Sequence, residues 1–376
     1  MRVAIDVRKY HDFGIGTYIR NLVRQLARID QVTEYVLLCR PDDRDRVGRV
    51  VGPNFRTVVE SAPPYSLQEQ IRIPMALRRE HVDLFHAPHY VLPPLIHCRS
   101  VVTIHDCIHL VFPQDLPGRF AHAYAKAQLW TAAHRSDRVL TVSETSKLDI
   151  LRRFRVPADK VTVVYNAIDE SLSTPPSDED VERVRMRYQL KDPFALYVGN
   201  IKPHKNLERL IDAFHRLRAE SQFEPLQLII IGDEINRYQG LRRAVHRHKL
   251  HKHVRFFGFV PPETLAVLYR LAGVFVFPSL YEGFGLPPLE AMYCGTPVVT
   301  SNVSSLPEVV WDAAVLVDPY DPDSIAEGMR RVLTDGDLRA SLRERGQARA
   351  REFSWERSVA QIRAVYGEVM DQAEPL

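Results

Sequence analysis

The sequence predicts an α/β protein with two domains, each built around a parallel sheet. Short runs of β-branched and aromatic residues alternate along the chain with segments of helical period. The run 226–232 is apolar almost throughout, as in a strand that is covered on both faces. Strand and helix segments follow one another at the spacing of crossover units, which favours helices on both sides of each sheet.

The first half of the chain starts this alternation. Its sequence predicts a strand over 2–7, a turn at the glycines of 14–16 and a helix over 17–28. Further segments have strand composition, and one more helix comes before the last of them. These are strands over 34–39, 55–60, 82–86, 100–105 and 138–143, with the helix over 119–136.

The second half repeats the pattern more regularly. Its first helix places its apolar side chains on one face, and a later helix starts with two prolines, which suit a first helical turn. The predicted strands span 195–199, 226–232, 254–258, 273–277, 297–300 and 314–318. The predicted helices span 206–220, 238–250, 261–272 and 288–295.

A polar segment without periodicity, 169–180, holds two adjacent prolines and predicts the domain boundary. We therefore expect a first domain over 1–168, a linker over 169–189 and a second domain over 190–353. A last helix is predicted over 354–373.

The composition bears on the protein's partners and on its compartment. Lys plus Arg number 50 and Asp plus Glu 47, and this near balance gives no support for a nucleic-acid partner. The four cysteines are scattered without a CxxC pair, which indicates a reducing compartment. We see no signal peptide and no apolar stretch of about 18 residues, so we expect a cytoplasmic protein. Peripheral contact with the plasma membrane stays open, because the basic helix within 119–138 could face anionic lipid. A run of basic residues on a helix is more often simply exposed to solvent.

Ligands of parallel sheets bind beyond the carboxyl ends of the strands, and the loop 278–297 lies in such a place. Gly283 and Gly285 allow close approach of the backbone to a ligand. We expect the following helix to begin at one of its two prolines, with Glu290 in its first turn and free N–H groups forming an anion site. Glu282 and Glu290 flank the glycines and suit hydroxyl pairs, as in a sugar or ribose. The alternative is that Glu290 only complements the helix dipole and that Glu282 is solvated.

A second loop, 198–207, also leads from a strand into a helix. Asn206 is the expected N-cap of that helix, and Lys205 and Lys202 lie just before it. Cations beside a helix N-terminus suit a diphosphate, and a pair of solvated lysines is the alternative.

Two loops of the first half are weaker candidates. Gly14 and Gly16 precede a helix, but Ile19 replaces the third glycine of a dinucleotide-binding fingerprint. His105 and Asp106 lie at a strand end, where the histidine can bind a hydroxyl or phosphate and the aspartate can orient it. A plain turn at the glycines, and a turn capped by Asp106, are the alternatives.

Two further patterns suggest surface structure more than metal sites. The segment 246–253 holds four histidines but falls on a polar helix and its following turn. The acidic run 177–180 also looks like a metal motif, yet Ser177 and Asp180 have the spacing of a helix capping box. We therefore predict no metal site.

The segment EGFGLPPLE (282–290) resembles the Glu-x7-Glu motif of retaining glycosyltransferases of family 4. The segments at 198–207, 163–170, 256–261 and 295–329 resemble other parts of that family. The resemblance is strong over roughly 140–335 and looser before. It implies a GT-B fold with two facing Rossmann-like domains and a cleft, a last helix that crosses back onto the first domain, a nucleoside-diphosphate sugar as donor, retention at the anomeric carbon, and no required cofactor or metal.

Carried over by position, the resemblance implies that Lys205 holds the diphosphate, Glu290 the ribose hydroxyls and Glu282 the donor sugar. His105 matches a family histidine near the sugar and phosphate. We therefore predict His105, Lys205 and Glu282 as catalytic. The implied donor-binding set is Gly14, Gly16, Asn200, Lys202, Lys205, Phe259, Val260, Glu282, Gly283, Phe284, Gly285, Leu286 and Glu290.

The chain departs from the family pattern at two places. Asn200 and Lys202 stand where many members carry an arginine, and Trp311 stands at a place that is commonly glycine. The segments 66–70 and 103–113 resemble bacterial envelope-polysaccharide mannosyltransferases. The predicted function is transfer of a sugar, with GDP-mannose as the expected donor, to a glycan or lipid-linked acceptor. The alternatives are a nucleotide-sugar epimerase, an enzyme with a small acceptor and a non-catalytic binding protein.

Overall fold

The computed structural model describes residues 1–12, 14–49, 52–116, 118–232 and 238–372. The chain divides into two compact units. The first comprises Met1–Asn166 together with the chain from Ser354 onward, and the second comprises Ala167–Phe353.

The first unit is a parallel sheet with helices on its faces. Its strands are β1 Arg2–Asp6, β2 Glu34–Cys39, β3 Phe55–Val59, β4 Leu84–Ala87, β5 Arg99–Thr103, β6 Arg138–Thr141 and β7 Val161–Val163. Its helices are α1 Ile15–Ile29, α2 Arg44–Gly48, α3 Glu69–Arg79, α4 Ile108–Val111, α5 Arg119–Arg135 and α6 Glu144–Phe154. The strand order is β3-β2-β1-β4-β5-β6-β7, and every pairing in it is parallel.

The second unit repeats this plan. Its helices are α7 Asp178–Tyr188, α8 Leu207–Arg218, α9 Gln239–Arg247, α10 Pro262–Leu271, α11 Leu286–Tyr293, α12 Leu306–Val310, α13 Pro322–Thr334 and α14 Gly336–Arg351. Its strands are β8 Phe194–Val198, β9 Gln227–Ile231, β10 Val254–Gly258, β11 Val274–Phe277, β12 Val298–Ser301 and β13 Val315–Val317. The order β10-β9-β8-β11-β12-β13 is again wholly parallel. The predicted fold class, two Rossmann-like domains with parallel sheets, is confirmed.

The strand orders locate a switch point in each sheet. Connections leave in opposite directions between β1 and β4 in the first sheet, and between β8 and β11 in the second. Loops that diverge from neighbouring carboxyl ends leave a crevice there, which is where open α/β sheets bind ligands. The loops that contain Lys205 and Glu282 follow β8 and β11, so both start at the switch point of the second sheet.

The helix α7 occupies about half of the predicted linker 169–189. The helix α7 starts with the expected capping box, since the Ser177 hydroxyl accepts from the Asp180 N–H and the Asp180 carboxylate accepts from the Ser177 N–H. Val184 is buried, and α7 packs against α10. This segment therefore belongs to the second unit, because a local cap and an apolar contact order it despite its polar composition.

The last helix, α15 (Trp355–Asp371), packs against α1 of the first unit. The Tyr366 hydroxyl lies 2.6 Å from His86 Nδ1, and Arg363 pairs with Asp30 at 2.9 Å. The predicted end of this helix at residue 373 lies outside the described residues. Within the described ranges, no helix has the length and apolar character needed to cross a bilayer.

Candidate active site

Lys205 lies at the end of a short 3-10 turn between β8 and α8. Pro203 begins that turn, and Lys205 donates its backbone N–H to the carbonyl of Lys202. The turn folds the chain back so that the lysine side chain projects beside β11, where its Nζ lies 5.4 Å from the centre of the Phe277 ring. The Lys205 side chain is only 12% exposed, which makes its charge interactions stronger than those of a surface lysine.

Asn206 has a different role from the predicted one. It occupies the N-cap position of α8 but adopts a left-handed conformation (φ 63°), and its side chain makes no capping hydrogen bond. Its Nδ2 instead donates to the carbonyls of Pro278 and Pro319, at 3.0 and 2.6 Å. The Asn206 amide thereby fixes the lysine turn to the start of the glycine loop, and Leu280 N–H adds a bond to the His204 carbonyl at 2.8 Å.

Lys205 Nζ donates to Glu282 Oε1 at 2.6 Å, and both side chains are mostly buried. The pairing joins the loop after β8 to the loop after β11, which are the two loops predicted separately to bind a diphosphate and a sugar. One acceptor occupies one of the three N–H bonds of the ammonium group, so the others can serve an anion. The second carboxylate oxygen of Glu282 can likewise accept from a hydroxyl.

Two serines hold the backbone around Glu282. The Ser304 hydroxyl accepts from the Glu282 N–H at 3.0 Å and donates to the Glu282 carbonyl at 2.7 Å. The Ser305 hydroxyl lies 2.9 Å from the carbonyls of Glu282 and Phe284. The glycine loop is therefore fixed by the segment after β12, a contact that no local sequence motif indicates.

Glu290 lies in the second turn of α11, so its predicted place in the first turn is wrong. The helix begins at Leu286 rather than at a proline, because Gly285 takes the left-handed N-cap position with φ 110°. Tyr269 from α10, fully buried, donates its hydroxyl to Glu290 Oε2 at 2.9 Å. Burial raises the pKa of Glu290 to about 7 and the charge of Asp169 adds to the rise, while the Tyr269 bond opposes it. The Glu290 carboxyl therefore lies outside the first turn of α11, and its role in binding hydroxyls stays a prediction.

The predicted anion site at the start of α11 is smaller than expected. Residues 287 and 288 are prolines without N–H groups, and the Leu289 N–H bonds to the Gly285 carbonyl. Leu286 is thus the position within the first turn whose amide remains for an anion. Gly285 also has a packing reason to be glycine, since a Cβ there would lie 2.8 Å from Leu306 Cδ2. Gly283 and Phe284 are buried in the same loop.

The remaining predicted donor residues of the second unit lie on neighbouring loops. Asn200 and Lys202 are partly exposed in the segment after β8. Phe259 follows β10 and is 67% exposed, which leaves its ring available for stacking. Val260 is buried, so its side chain belongs to the core and only its backbone can meet a nucleobase.

In the first unit, His105 follows β5 with its Nε2 3.0 Å from the carbonyl of Pro88. That contact makes Nε2 the protonated nitrogen, which leaves Nδ1 as an acceptor. Burial lowers the pKa of His105, and the neutral ring therefore suits a hydroxyl donor better than a phosphate. Asp106 does not orient the histidine. Its Oδ1 accepts from the Ile108 N–H at 2.9 Å and caps the turn, which was the alternative interpretation.

Gly14 and Gly16 have backbone reasons to be glycine. Gly14 is the N-cap of α1 with φ 63°. Gly16 lies inside α1 and donates its N–H to the Asp12 carbonyl, and a Cβ on it would lie 2.6 Å from the Tyr10 carbonyl oxygen. The Gly16 N–H is therefore already used within the unit, and the implied part of Gly16 in donor binding stays a prediction.

A buried charge cluster at the end of β1 was not predicted. Arg8 pairs with Asp6 at 2.7 Å and with Glu69 of α3 at 2.9 Å. His89 lies 3.3 Å from the same aspartate, and Tyr124 of α5 donates to Glu69 at 3.1 Å. Burial by itself would raise the pKa of Asp6, but the Arg8 guanidinium and His89 hold it well below its usual range. The partners are up to 83 residues apart, so no sequence spacing reveals the cluster.

The histidine-rich segment 246–253 is surface structure in the described part of the second unit. His248 bonds to Asp212 at 2.7 Å and stacks on His215 with ring centres 4.2 Å apart. In the described ranges, no group of three or more potential ligands is arranged to hold a metal ion.

Two Rossmann-like units in tandem, the second with a cation and two carboxylates beside its switch point, are typical of glycosyltransferases of the GT-B class. Models of two families match the chain in succession. "Glycosyltransferase Family 4" matches residues 14–172 and "Glycosyl transferases group 1" matches residues 178–349.

Named relatives agree with this class. The chain is 34% identical to the O-antigen chain mannosyltransferase B of Escherichia coli, over 96% of this chain and 98% of that protein. It is also 34% identical to the serotype-specific mannosyltransferase WbdA of Escherichia coli, over 68% of this chain and 32% of that longer protein. The protein belongs to the glycosyltransferase family of these relatives, and it is an enzyme.

A solved structure shares the whole fold. HepE of Anabaena in complex with UDP-glucose superposes with a TM-score of 0.79 at 18% identity, covering 98% of this chain and all of that one. At this identity the likeness concerns the fold. Within the second unit, the structure brings together Lys205, Glu282 and the loop leading to Glu290. His105, Gly14 and Gly16 lie in the other unit.

Proposed function

We propose that this enzyme transfers mannose from GDP-mannose to a growing glycan or a lipid-linked acceptor in the synthesis of an envelope polysaccharide, with retention at the anomeric carbon and without a metal or other cofactor. The observation that carries the proposal is the Lys205–Glu282 ion pair at the switch point of the second sheet. The names of the two mannosyltransferase relatives supply the sugar.

The chemistry follows from charge. The bond from the anomeric carbon to the diphosphate oxygen breaks, and negative charge grows on the leaving diphosphate. The Lys205 ammonium group and the Leu286 N–H can stabilise that charge, since both are held in place before the reaction. Glu290 accepts from the ribose hydroxyls and Glu282 from a hydroxyl of the sugar.

Retention requires attack on the face that the diphosphate leaves, or a covalent intermediate. In this proposal Glu282, paired with Lys205, accepts from the sugar and Glu290, bonded to Tyr269, accepts from the ribose, so neither is assigned as a covalent nucleophile. We therefore favour attack by the acceptor hydroxyl on the same face. The new bond joins its oxygen to the anomeric carbon, and its proton passes to the leaving phosphate oxygen. In the first unit, the neutral His105 accepts from a sugar hydroxyl through Nδ1.

A donor screen tests the proposal. Thermal shifts and slow hydrolysis are measured with GDP-, UDP-, ADP- and dTDP-sugars on the unchanged enzyme and on Lys205→Ala, Glu290→Ala and the matched control Glu344→Gln, which changes an exposed carboxylate on α14. We expect GDP-mannose to stabilise the enzyme and the control but neither site variant. Stabilisation by another nucleotide sugar alone would overturn the donor, and equal stabilisation of all variants would overturn the site.

The reaction would then take place at the inner face of the plasma membrane, where a lipid-linked acceptor is reached by peripheral contact of the enzyme with the membrane.

A further inference from the structure

A chain of buried polar side chains runs through the first unit, from its last helix to the strand that leads to His105. Tyr366 of α15 places its hydroxyl 2.6 Å from His86 Nδ1, and His86 Nε2 lies 2.9 Å from the Thr103 hydroxyl on β5. The Tyr18 hydroxyl of α1 lies 3.1 Å from the same Thr103 oxygen. All four side chains are buried, and up to 280 positions separate the residues that they join, so the chain of contacts exists only in the folded unit. We call it the Tyr366–Tyr18 chain.

A neutral His86 ring makes the Tyr366–Tyr18 chain continuous. Burial lowers the pKa of His86 to about 3. A neutral imidazole donates from one ring nitrogen and accepts at the other, so it joins a hydroxyl on each side. Because hydroxyl groups rotate to suit their neighbours, Thr103 can both pair with His86 and pair with Tyr18. Removal of one hydroxyl would leave a buried polar partner unpaired, which is why such a chain holds its members in one arrangement.

Tyr18 connects this chain to His105. The two rings meet edge to face, with centres 4.9 Å apart and planes at 88° to each other. Trp355 of α15 also contacts the Tyr18 ring, with ring centres 5.8 Å apart. The bond to Thr103 fixes where the Tyr18 ring lies, and the Tyr18 ring in turn limits how the imidazole of His105 can turn.

The other contacts of His105 hold its backbone and one end of its ring. The Ser146 hydroxyl donates to the His105 carbonyl at 3.1 Å, and His105 Nε2 lies 3.0 Å from the Pro88 carbonyl. Contact with Tyr18 limits rotation of the ring about that second bond, and this rotation sets the direction of Nδ1. His105 is partly exposed after β5, so the direction of Nδ1 decides which hydroxyl of a substrate it can meet.

We propose that Tyr18 is a positioning residue, held by the Thr103 hydroxyl at the end of the Tyr366–Tyr18 chain, which orients His105 towards the donor sugar. This inference rests on the proposed function in that it takes His105 to accept from a sugar hydroxyl. A hydrogen bond weakens steeply with poor distance or angle, so a turned imidazole would lose that contact. Side chains that only held the core together would affect the free energy of unfolding and leave the rate of the folded enzyme unchanged.

The first test is turnover of GDP-mannose with a mannose oligosaccharide as acceptor. The variants are Tyr18→Phe and Thr103→Val, and the matched control is Tyr35→Phe, which removes another buried tyrosine hydroxyl of the first unit from its bond to a side chain. We expect Tyr18→Phe to lower kcat about tenfold with KM for the donor changed less than about twofold, and the control to change neither. In a His105→Ala background, Tyr18→Phe should have no further effect on kcat, because its effect passes through His105.

The second test is NMR of the ring nitrogens of isotope-labelled histidine in the same variants, without any donor. The His105 signals are identified by their loss in His105→Ala. We expect the Nε2–H tautomer in the unchanged enzyme and in Tyr35→Phe, as the Pro88 contact requires. In Tyr18→Phe and Thr103→Val the signals should shift towards the average of the two tautomers, since the ring is then free to turn away from that carbonyl.

An unchanged His105 spectrum or an unchanged kcat in Tyr18→Phe would overturn the inference. An equal loss of kcat on adding Tyr18→Phe to His105→Ala would do the same, because the effect would then bypass the histidine. A fully active His105→Ala enzyme would contradict both the inference and the part of His105 in the proposed function. If the unchanged enzyme does not turn over GDP-mannose while its His105 spectrum responds to Tyr18→Phe, the proposed donor is wrong and the positioning of His105 is supported.

Discussion

Lys205 Nζ and Glu282 Oε1 lie 2.6 Å apart in the second unit, although 77 positions separate the two residues in the chain. The pair joins the loops that follow β8 and β11, the strands on either side of the switch point. One partner suits a diphosphate and the other a sugar hydroxyl. The relationship is therefore the geometric basis of the proposed donor site, and it predicts unequal effects of removing either side chain.

We expect Lys205→Ala to lower donor affinity about 10- to 100-fold, because it removes a charged donor from the diphosphate. It should also lower the free energy of unfolding by about 1–3 kcal/mol, since it leaves the Glu282 carboxylate mostly buried and unpaired. Glu282→Gln should keep affinity for the free nucleoside diphosphate and lose transfer. Denaturant unfolding of both variants and of the double variant measures the coupling, and strictly additive losses would argue against the ion pair.

The raised pKa of Glu290 predicts a pH dependence of donor binding. Ribose hydroxyls favour the ionised carboxyl group. At a pH below the Glu290 pKa of about 7, donor binding therefore requires that Glu290 first release a proton. Affinity for the nucleotide sugar should rise up to about tenfold per pH unit below that value and level off above it. Calorimetric titration across this range measures the effect. Glu290→Gln should give a flat profile, and an unchanged slope in that variant would assign the titration to another group.

The same group affects folding in the opposite sense. Because the folded-state pKa of Glu290 is raised, its contribution to stability is fully present below about pH 4.5 and is lost as the pH rises through about 7.

Tyr269→Phe removes the hydrogen bond that favours the ionised form of Glu290, so it should move the midpoint of the donor-binding profile to higher pH. A midpoint that stays in place or falls would count against the Tyr269 contact.

Asn206 is predicted to stabilise the site through its side-chain amide. Asn206→Gly keeps the left-handed backbone and removes the bonds to the Pro278 and Pro319 carbonyls. We expect a loss of about 2 kcal/mol in the free energy of unfolding together with weaker donor binding. The exposed Asn302→Ala is the matched control. Equal stability of the two variants in urea would show that the amide is dispensable.

Trp311 departs from the commonly glycine family position at a cost in backbone strain. Its φ of 51° and ψ of −125° lie in a region that side chains disfavour, and it is 69% exposed. Trp311→Gly should therefore raise the free energy of unfolding by about 1 kcal/mol. Trp311→Ala retains the Cβ and serves as the control. Thermal unfolding compares the two, and a glycine variant no more stable than the alanine variant would contradict this account.

Local patterns were read from the sequence more reliably than contacts between distant segments. The strand 254–258 and the capping box of Ser177 were predicted correctly, because each depends on residues close in the chain. The turn that contains Glu290 was misplaced, since a left-handed Gly285 starts α11 one residue before the prolines.

Contacts over long separations set the rest of the candidate site. Asn206 was assigned to helix capping, whereas its real partners follow 72 and 113 positions later. Tyr269 and Ser304 were missed for the same reason, because a buried hydroxyl has no periodic signature. The glycine loop was found because its glycines, prolines and glutamates lie within one short segment.

The most direct test of the proposed function is transfer from GDP-mannose to a mannose oligosaccharide, followed by NMR of the new anomeric centre. The enzymes compared are the unchanged protein, Glu282→Gln and the control Glu344→Gln. We expect one new glycosidic bond with the anomeric configuration of the donor, formed by the unchanged protein and the control, with the rate of Glu282→Gln lowered at least about 100-fold. An inverted product, or an equally active Glu282→Gln enzyme, would contradict the account.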